Sequence, residues 1–286
     1  MNFEVAVVIT TYNHANYVEQ MVDSILAQTV SHLIKIYISD DASSDATPDK
    51  LRLIGKRHPN NVSIRCRSEN VGASRNFVEL FEMCEEPFVF FCDGDDFWLD
   101  ERKVEIQLSL LKKQSGLIGV SHGVKSDTTW LSSQRTVIDT KDSELITFNR
   151  FFLGRKFALI TLLMKNSVQL REQICRLVLE GPRNQGDLVI CSCALKYGRV
   201  LDLKAPMSFY RKRLDGDVNF NSIYGLRAKM AFKRQMIGII EREFDVSWHQ
   251  RAVMTLWWIL KFLRGYVGNL YRLVASRIQI KRANRP

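Results

Sequence analysis

Residues 4–9, EVAVVI, form a continuous run of mostly β-branched apolar residues. Such a run is buried on both faces, which predicts a strand inside a parallel sheet. A polar stretch, Thr10 to His14, follows. Over 15–28 the apolar positions switch to helical spacing, with Tyr17, Met21, Ile25 and Leu26 on one face. The alternation then repeats. A strand is expected over 33–38 and a polar loop over Ser39 to Asp45. The next helix should run from Thr47 to Lys56, with Pro48 in its first turn. A third strand is expected at Val62–Cys66, a helix near 74–84 and a fourth strand at Pro87–Cys92. Residues 98–114 look helical and Val200–Tyr210 contain a strand. The stretch 116–165 shows neither period clearly, and from about 224 the pattern is helical.

Strand, loop and helix in alternation predict an α/β fold with a doubly wound, mostly parallel sheet and flanking helices. Ligands of such sheets bind outside the carboxyl ends of the strands. Three polar loops fall there: Thr10 to His14, Asp40 to Asp45, and Asp93-Gly94-Asp95-Asp96. They are expected to meet in one cleft. The domain boundary is expected near 215, with a catalytic domain over 1–215 and a helical, basic, amphipathic region over 216–286.

The chain has 286 residues and is 46% hydrophobic, enough for a sizeable core. Net charge is +10, but the excess is localised: from Val246 onward there is no Asp or Glu. That stretch carries Arg251, Lys261, Arg264, Arg272, Arg277, Lys281, Arg282 and Arg285. Together with Trp257, Trp258, Phe262 and Tyr266 these suit an anionic membrane surface. They equally suit a helix packed on the catalytic domain with a solvated basic face. No nucleic-acid module is recognisable, so nucleic acid is not an expected partner. Six cysteines without a C-x-x-C pair or zinc spacing, and no leader-like start, fit reduced thiols in a cytoplasmic protein. No apolar run reaches membrane-spanning length.

The acidic run carries the most chemistry. Three carboxylates at a strand end repel one another. A hard divalent cation offsets that cost, using one or two carboxylates plus phosphate oxygens of a substrate. Asp40 and Asp41 could accept from a ribose hydroxyl or a base N–H, or could build a turn, as Asp45 could. Thr10, Thr11, Tyr12 and Asn13 suit a nucleotide. Arg75, after Gly72, could stack on a base, reach a phosphate or form a surface ion pair. Asp187, opening an apolar helical stretch, serves equally as general base or helix N-cap. Arg211, after Tyr210, could close over a diphosphate. No G-x-G-x-x-G, P-loop, H-E-x-x-H or G-x-S-x-G is present.

The blocks VAVVITTYNHANYVEQMVDSILAQT, ISDDASSDAT, ENVGASRN and FVFFCDGDDFW, in that order, resemble the family 2 glycosyltransferases with a GT-A fold. The resemblance covers about 4–115, and more weakly 180–213. It implies a nucleotide-sugar donor, UDP- or dTDP-linked, with Thr10 and Asp41 at its base and ribose and Arg75 bracing the base. Asp93 and Asp95 would lie near the ribose and diphosphate. Asp96, with Asp95, would ligate Mn²⁺ or Mg²⁺. Asp187 would be the general base of an inverting displacement, and Arg211 a phosphate-side cation. Gly186 stands where the family often has Glu, Arg213 where it often has His, and Thr10-Thr11 where Pro-Thr is commoner. The implied acceptor is a glycan or an undecaprenyl-diphosphate-linked saccharide of a surface polysaccharide such as O-antigen or capsule. The enzyme would sit in the cytoplasm, peripheral to the inner face of the membrane. Without transmembrane helices or a Q-x-x-R-W run, a processive synthase is disfavoured. Two alternatives are a nucleotide-sugar-binding protein without turnover and a sugar nucleotidyltransferase; the latter should show a Gly-rich loop after the first strand.

Overall fold

The computed structural model describes residues 2–126, 143–152, 157–181, 186–211 and 226–244. The strands are β1 (Val5–Thr11), β2 (Ile34–Asp40), β3 (Val62–Cys66), β4 (Phe88–Asp93), β5 (Phe97–Trp98), β6 (Leu117–Ser126), β7 (Glu144–Ile146), β8 (Leu163–Lys165) and β9 (Arg199–Tyr210). The helices are α1 (Val18–Leu26), α2 (Thr47–Arg57), α3 (Ala73–Phe81), α4 (Lys103–Lys113), α5 (Phe148–Phe152), α6 (Val168–Glu180), α7 (Gly186–Tyr197) and α8 (Leu226–Glu243).

One sheet contains all nine strands described, in the order β3-β2-β1-β4-β8-β6-β9-β5, with β7 also paired to β9. The first four strands run parallel, and β8 pairs antiparallel with β4 and β6. β1 is apolar throughout because both its faces are covered. Val5, Val7 and Ile9 point to the side of α1, α2 and α4. Ala6 and Val8 point to the side of α3, α6 and α7. Each large apolar side chain buried this way contributes about 1.5–3 kcal/mol. In α1 the buried positions are Val18, Met21, Val22 and Ile25, the spacing of one helical face.

The register places the polar strand ends side by side. Thr10 pairs with Ser39 on one flank and Asp93 on the other, and Thr11 pairs with Asp40. The three loops therefore converge, as the alternation predicts.

Two stretches differ from the sequence expectation. Residues 98–114 are not one helix: Phe97 and Trp98 pair antiparallel with Phe209 and Ser208, and α4 starts at Lys103. Among the described residues, the stretch 116–165 holds only short or irregular elements. β6 carries register shifts around Gly119 and Gly123 against β9, and β7 and β8 have three residues each. Elements so short or bulged show too few repeats for a period to emerge.

α8 lies beyond the expected boundary at 215. It packs on α6, with Ile239 and Ile240 buried in the same core as α3 and α7. Arg176 and Glu180 of α6 pair with Glu243 and Arg242 of α8. The basic aromatic stretch after Val246 lies outside the described residues. Among the described residues no helix is long and apolar enough to cross a membrane. The six cysteines are free, and five are buried.

Candidate active site

Asp93 ends β4 and opens a tight turn. Gly94 is required there: a Cβ at this position would lie 2.5 Å from Thr11 Cγ2 and 2.8 Å from His14 Nδ1. Hence Thr11 and His14 sit directly against the acidic turn. His14 Nε2 lies 3.9 Å from Asp95 Oδ2.

The three carboxylates of the turn differ in setting. Asp93 is accessible from the cleft but recessed, with protein on most sides. That recess, together with the charges of Asp187 and Asp95, pushes its carboxyl up to about 7. Asp96 is buried, and its Oδ1 accepts a 2.8 Å hydrogen bond from the Arg211 backbone amide. Burial and the neighbouring Asp93 raise its pKa well above the ordinary carboxylate value. Asp95 is half-buried and holds Arg211 through its carbonyl, which accepts from Arg211 Nε at 2.9 Å.

Arg211 closes the turn from β9. Its Nη2 donates to Gln20 Oε1 at 2.9 Å, and its guanidinium lies 4.7 Å from the Tyr17 ring centre and 5.5 Å from that of Phe97. This planar cation lies near the faces of aromatic rings while donating to the turn. Tyr17, Gln20 and Phe97 are site residues that sequence reasoning missed. Tyr17 reads as one more apolar position of the helix expected over 15–28, and nothing local signals that residues 191 positions apart share a hydrogen bond.

Asp187 lies in the first turn of α7. Its side is open to solvent, yet surrounding protein still raises its carboxyl pKa. It shares one cavity of about 510 Å³ with Thr10, Asp93, Asp96 and Tyr210. Thr10 Oγ1 lies 3.5 Å from Asp93 Oδ1, and Tyr210 is 44% exposed at the same mouth. Negative charge on Asp96, Asp93 and Asp187 raises the Tyr210 phenol after burial does.

The residues expected at the base and ribose take structural duties as well. Asp41 is buried, and its two oxygens accept from the Val71 and Gly72 amides, each at 2.9 Å. It thereby ties the β2 loop to the loop before α3, where Gly72 has a φ of 86°. Asp40 accepts from Thr11 Oγ1 and from Ser43, the local-turn alternative. Asp45 accepts from Thr47 N at the start of α2. Tyr12 is exposed beside these loops. Arg75 is not gathered into the carboxylate cluster: its Nε donates to Glu79 Oε1 at 2.8 Å on the exposed face of α3, the surface ion pair.

Among the described residues, no three His, Cys, Asp or Glu side chains are arranged to hold a metal by themselves. The site does hold crowded carboxylates with raised pKa values, and Asp96 has one oxygen taken by an amide. That donor set fits a hard cation that completes its shell with substrate phosphate oxygens and water.

The profile described as Glycosyl transferase family 2 matches residues 6–175. The chain belongs to this family. TuaG of Bacillus subtilis (strain 168), which carries the name of a teichuronic acid biosynthesis glycosyltransferase, is 32% identical over 111 residues, 39% of this chain and 43% of TuaG. The chain spans less than half the length of the curated relatives it matches. Among solved structures, S. aureus TarS 1-349 in complex with UDP-GlcNAc superposes with a TM-score of 0.64 at 17% identity, over 89% of this chain and 70% of that one. The mannosyltransferase PcManGT from Pyrobaculum calidifontis, in complex with GDP-Man and Mn²⁺, superposes with a TM-score of 0.59 at 17% identity, over 99% and 80%. The chain thus combines a family 2 glycosyltransferase match with a GT-A fold.

Proposed function

We propose that this enzyme is non-processive and inverting, and moves a sugar from a nucleoside diphosphate donor to a hydroxyl of a glycan or lipid-linked saccharide in surface-polysaccharide assembly. The observation that carries the reading is the shared cavity of Asp187, Asp93 and Asp96. A base and a leaving-group site on two sides of one cavity suit a single displacement. Asp187 accepts the proton of the attacking hydroxyl, and its raised pKa makes it a better base than a free aspartate.

Asp96, through its second oxygen, and Asp95 would hold Mn²⁺ or Mg²⁺. When bound, the cation neutralises the departing diphosphate. PcManGT, solved with Mn²⁺, supports a divalent cation. Thr10, Tyr12 and Asp41 line the nucleotide end, for which UDP or dTDP is the preferred donor; UDP-GlcNAc in TarS supports a uridine donor. Arg211 orders the acidic turn and keeps a cation beside the diphosphate. The name of TuaG supports a bacterial surface glycan as product. The acceptor, an undecaprenyl-diphosphate-linked saccharide, would be met at the cytoplasmic face of the membrane, with the basic region after Val246 against anionic lipid.

A thermal-shift screen of nucleotide sugars with and without Mn²⁺ tests the donor. A Mn²⁺-dependent rise in Tm with one nucleotide class is expected, followed by release of that nucleoside diphosphate on turnover. Binding without release would instead indicate a binding protein. Flotation with vesicles containing anionic lipid tests the membrane clause; absence of binding would remove it.

A further inference from the structure

The cavity that begins at the carboxylates continues inward between the sheet and helices α3, α5 and α7. Its walls are apolar and largely aromatic: Phe77, Phe91, Phe151, Phe157, Leu159 and Leu188. The polar side chains Thr10, Asp93, Asp96, Asp187 and Tyr210 interact around the carboxylates. Beyond them, the described lining offers Ser74 and the weakly polar thiols of Cys92 and Cys191. Val178 and Ile190, both almost fully buried, line it toward the interior.

Against these described apolar side chains, the hydroxyls of a saccharide that carries one on every carbon find no partner. An unpartnered polar group in an apolar site is costly to bury, whereas a methyl or a deoxygenated carbon fits there. The volume of about 510 Å³ is that of a small-ligand site. A glycan or lipid-linked acceptor must extend to solvent, and Asp187 is open on that side. The guest of the inner part is therefore the small, enclosed partner, the sugar of the donor.

We infer that the apolar chamber lined by Phe77, Phe151, Phe157 and Leu159 selects a donor sugar deoxygenated on the side of the ring away from its anomeric carbon, a 6-deoxyhexose being the simplest case. The inference rests on the transferase reading above and names its substrate class.

Calorimetric titration tests it on the intact protein in the presence of Mn²⁺. The ligands are matched UDP-, dTDP- and GDP-linked pairs, each a 6-deoxyhexose and the hexose of the same configuration, plus the free nucleoside diphosphates. On the accepted nucleotide the deoxy member should bind about tenfold to a hundredfold tighter, the range over which an apolar pocket discriminates against an added hydroxyl. Leu159→Gln, which supplies a hydrogen-bond partner to the wall, should narrow that gap several-fold. If Leu159→Gln does not fold, Phe157→Tyr serves the same purpose. Equal or tighter binding of the hexose, with the nucleoside diphosphate still bound, overturns this inference alone. A gap that neither variant narrows overturns the assignment to this wall. Failure of every nucleotide to bind overturns both this inference and the transferase reading.

Discussion

The backbone amide of Arg211 donates to Asp96 Oδ1 at 2.8 Å, joining residues 115 positions apart. That bond fixes which oxygen of Asp96 faces the cleft. The Arg211 side chain reinforces it by holding the Asp95 carbonyl and Gln20. Arg211→Ala keeps the amide but loses the side-chain clamp and the contact with the Tyr17 ring. The Mn²⁺ concentration for half-maximal activity should rise about tenfold, the cost of one charge-assisted hydrogen bond. Arg211→Lys should not restore it, because an ammonium cannot reproduce the planar fork. Metal titrations of steady-state activity check both variants.

Asp41 is the joint between the loop after β2 and the loop before α3. Asp41→Ala leaves the Val71 and Gly72 amides without their partner, which should cost about 1–3 kcal/mol of stability. Because the proposed function sets these loops at the nucleotide end, away from Asp187, KM for the donor should rise far more than kcat falls. Urea unfolding gives the first quantity, and initial-rate kinetics the second.

Lys103 is fully buried, with Nζ 3.4 Å from the Phe90 ring centre and 4.0 Å from that of Trp98, and no hydrogen-bond partner among the described residues. Burial holds its pKa well below the ordinary lysine value. The unfolded chain therefore binds a proton that the folded one does not, between the depressed pKa and the ordinary value of about 10.4. Stability from this group rises with pH across that window. Lys103→Met should be more stable than wild type at pH 7, and the difference should shrink as pH approaches 10. Thermal melts of the two proteins over pH 6–10 test the sign.

The parallel half of the sheet was legible because β1, β2 and β4 are long apolar runs ending in polar loops, and parallel register brings such ends together. Order along the chain pointed to Asp93, Asp96 and Asp187, which the fold gathers around one cavity. In the mixed half, β9 was legible as the strand at Val200–Tyr210, but its short partners were not. β5, β7 and β8 are two or three residues long and owe their conformation to partners far away in sequence. Tyr17, Gln20 and Phe97 escaped for the same reason: their task is to hold Arg211, which reaches them only through the pairing of β9 with β5 and β6. Lys103 escaped because a lysine after Glu101 and Arg102 reads as a solvated helix start. Arg75 illustrates the reverse, a plausible ligand contact that Glu79 engages on the surface.

On the proposed reading, Asp187 takes the proton of the acceptor hydroxyl while the acidic turn in the same cavity holds the departing diphosphate. The most direct measurement is Mn²⁺-dependent transfer, followed by nucleoside diphosphate release, in wild type, Asp187→Asn and Asp96→Ala, with donor affinity measured in parallel. Asp187→Asn should lose about 10²–10⁴-fold in kcat, the usual contribution of a general base, while still binding the donor. Asp96→Ala should abolish transfer while remaining folded. Near wild-type turnover in either folded variant would contradict the account.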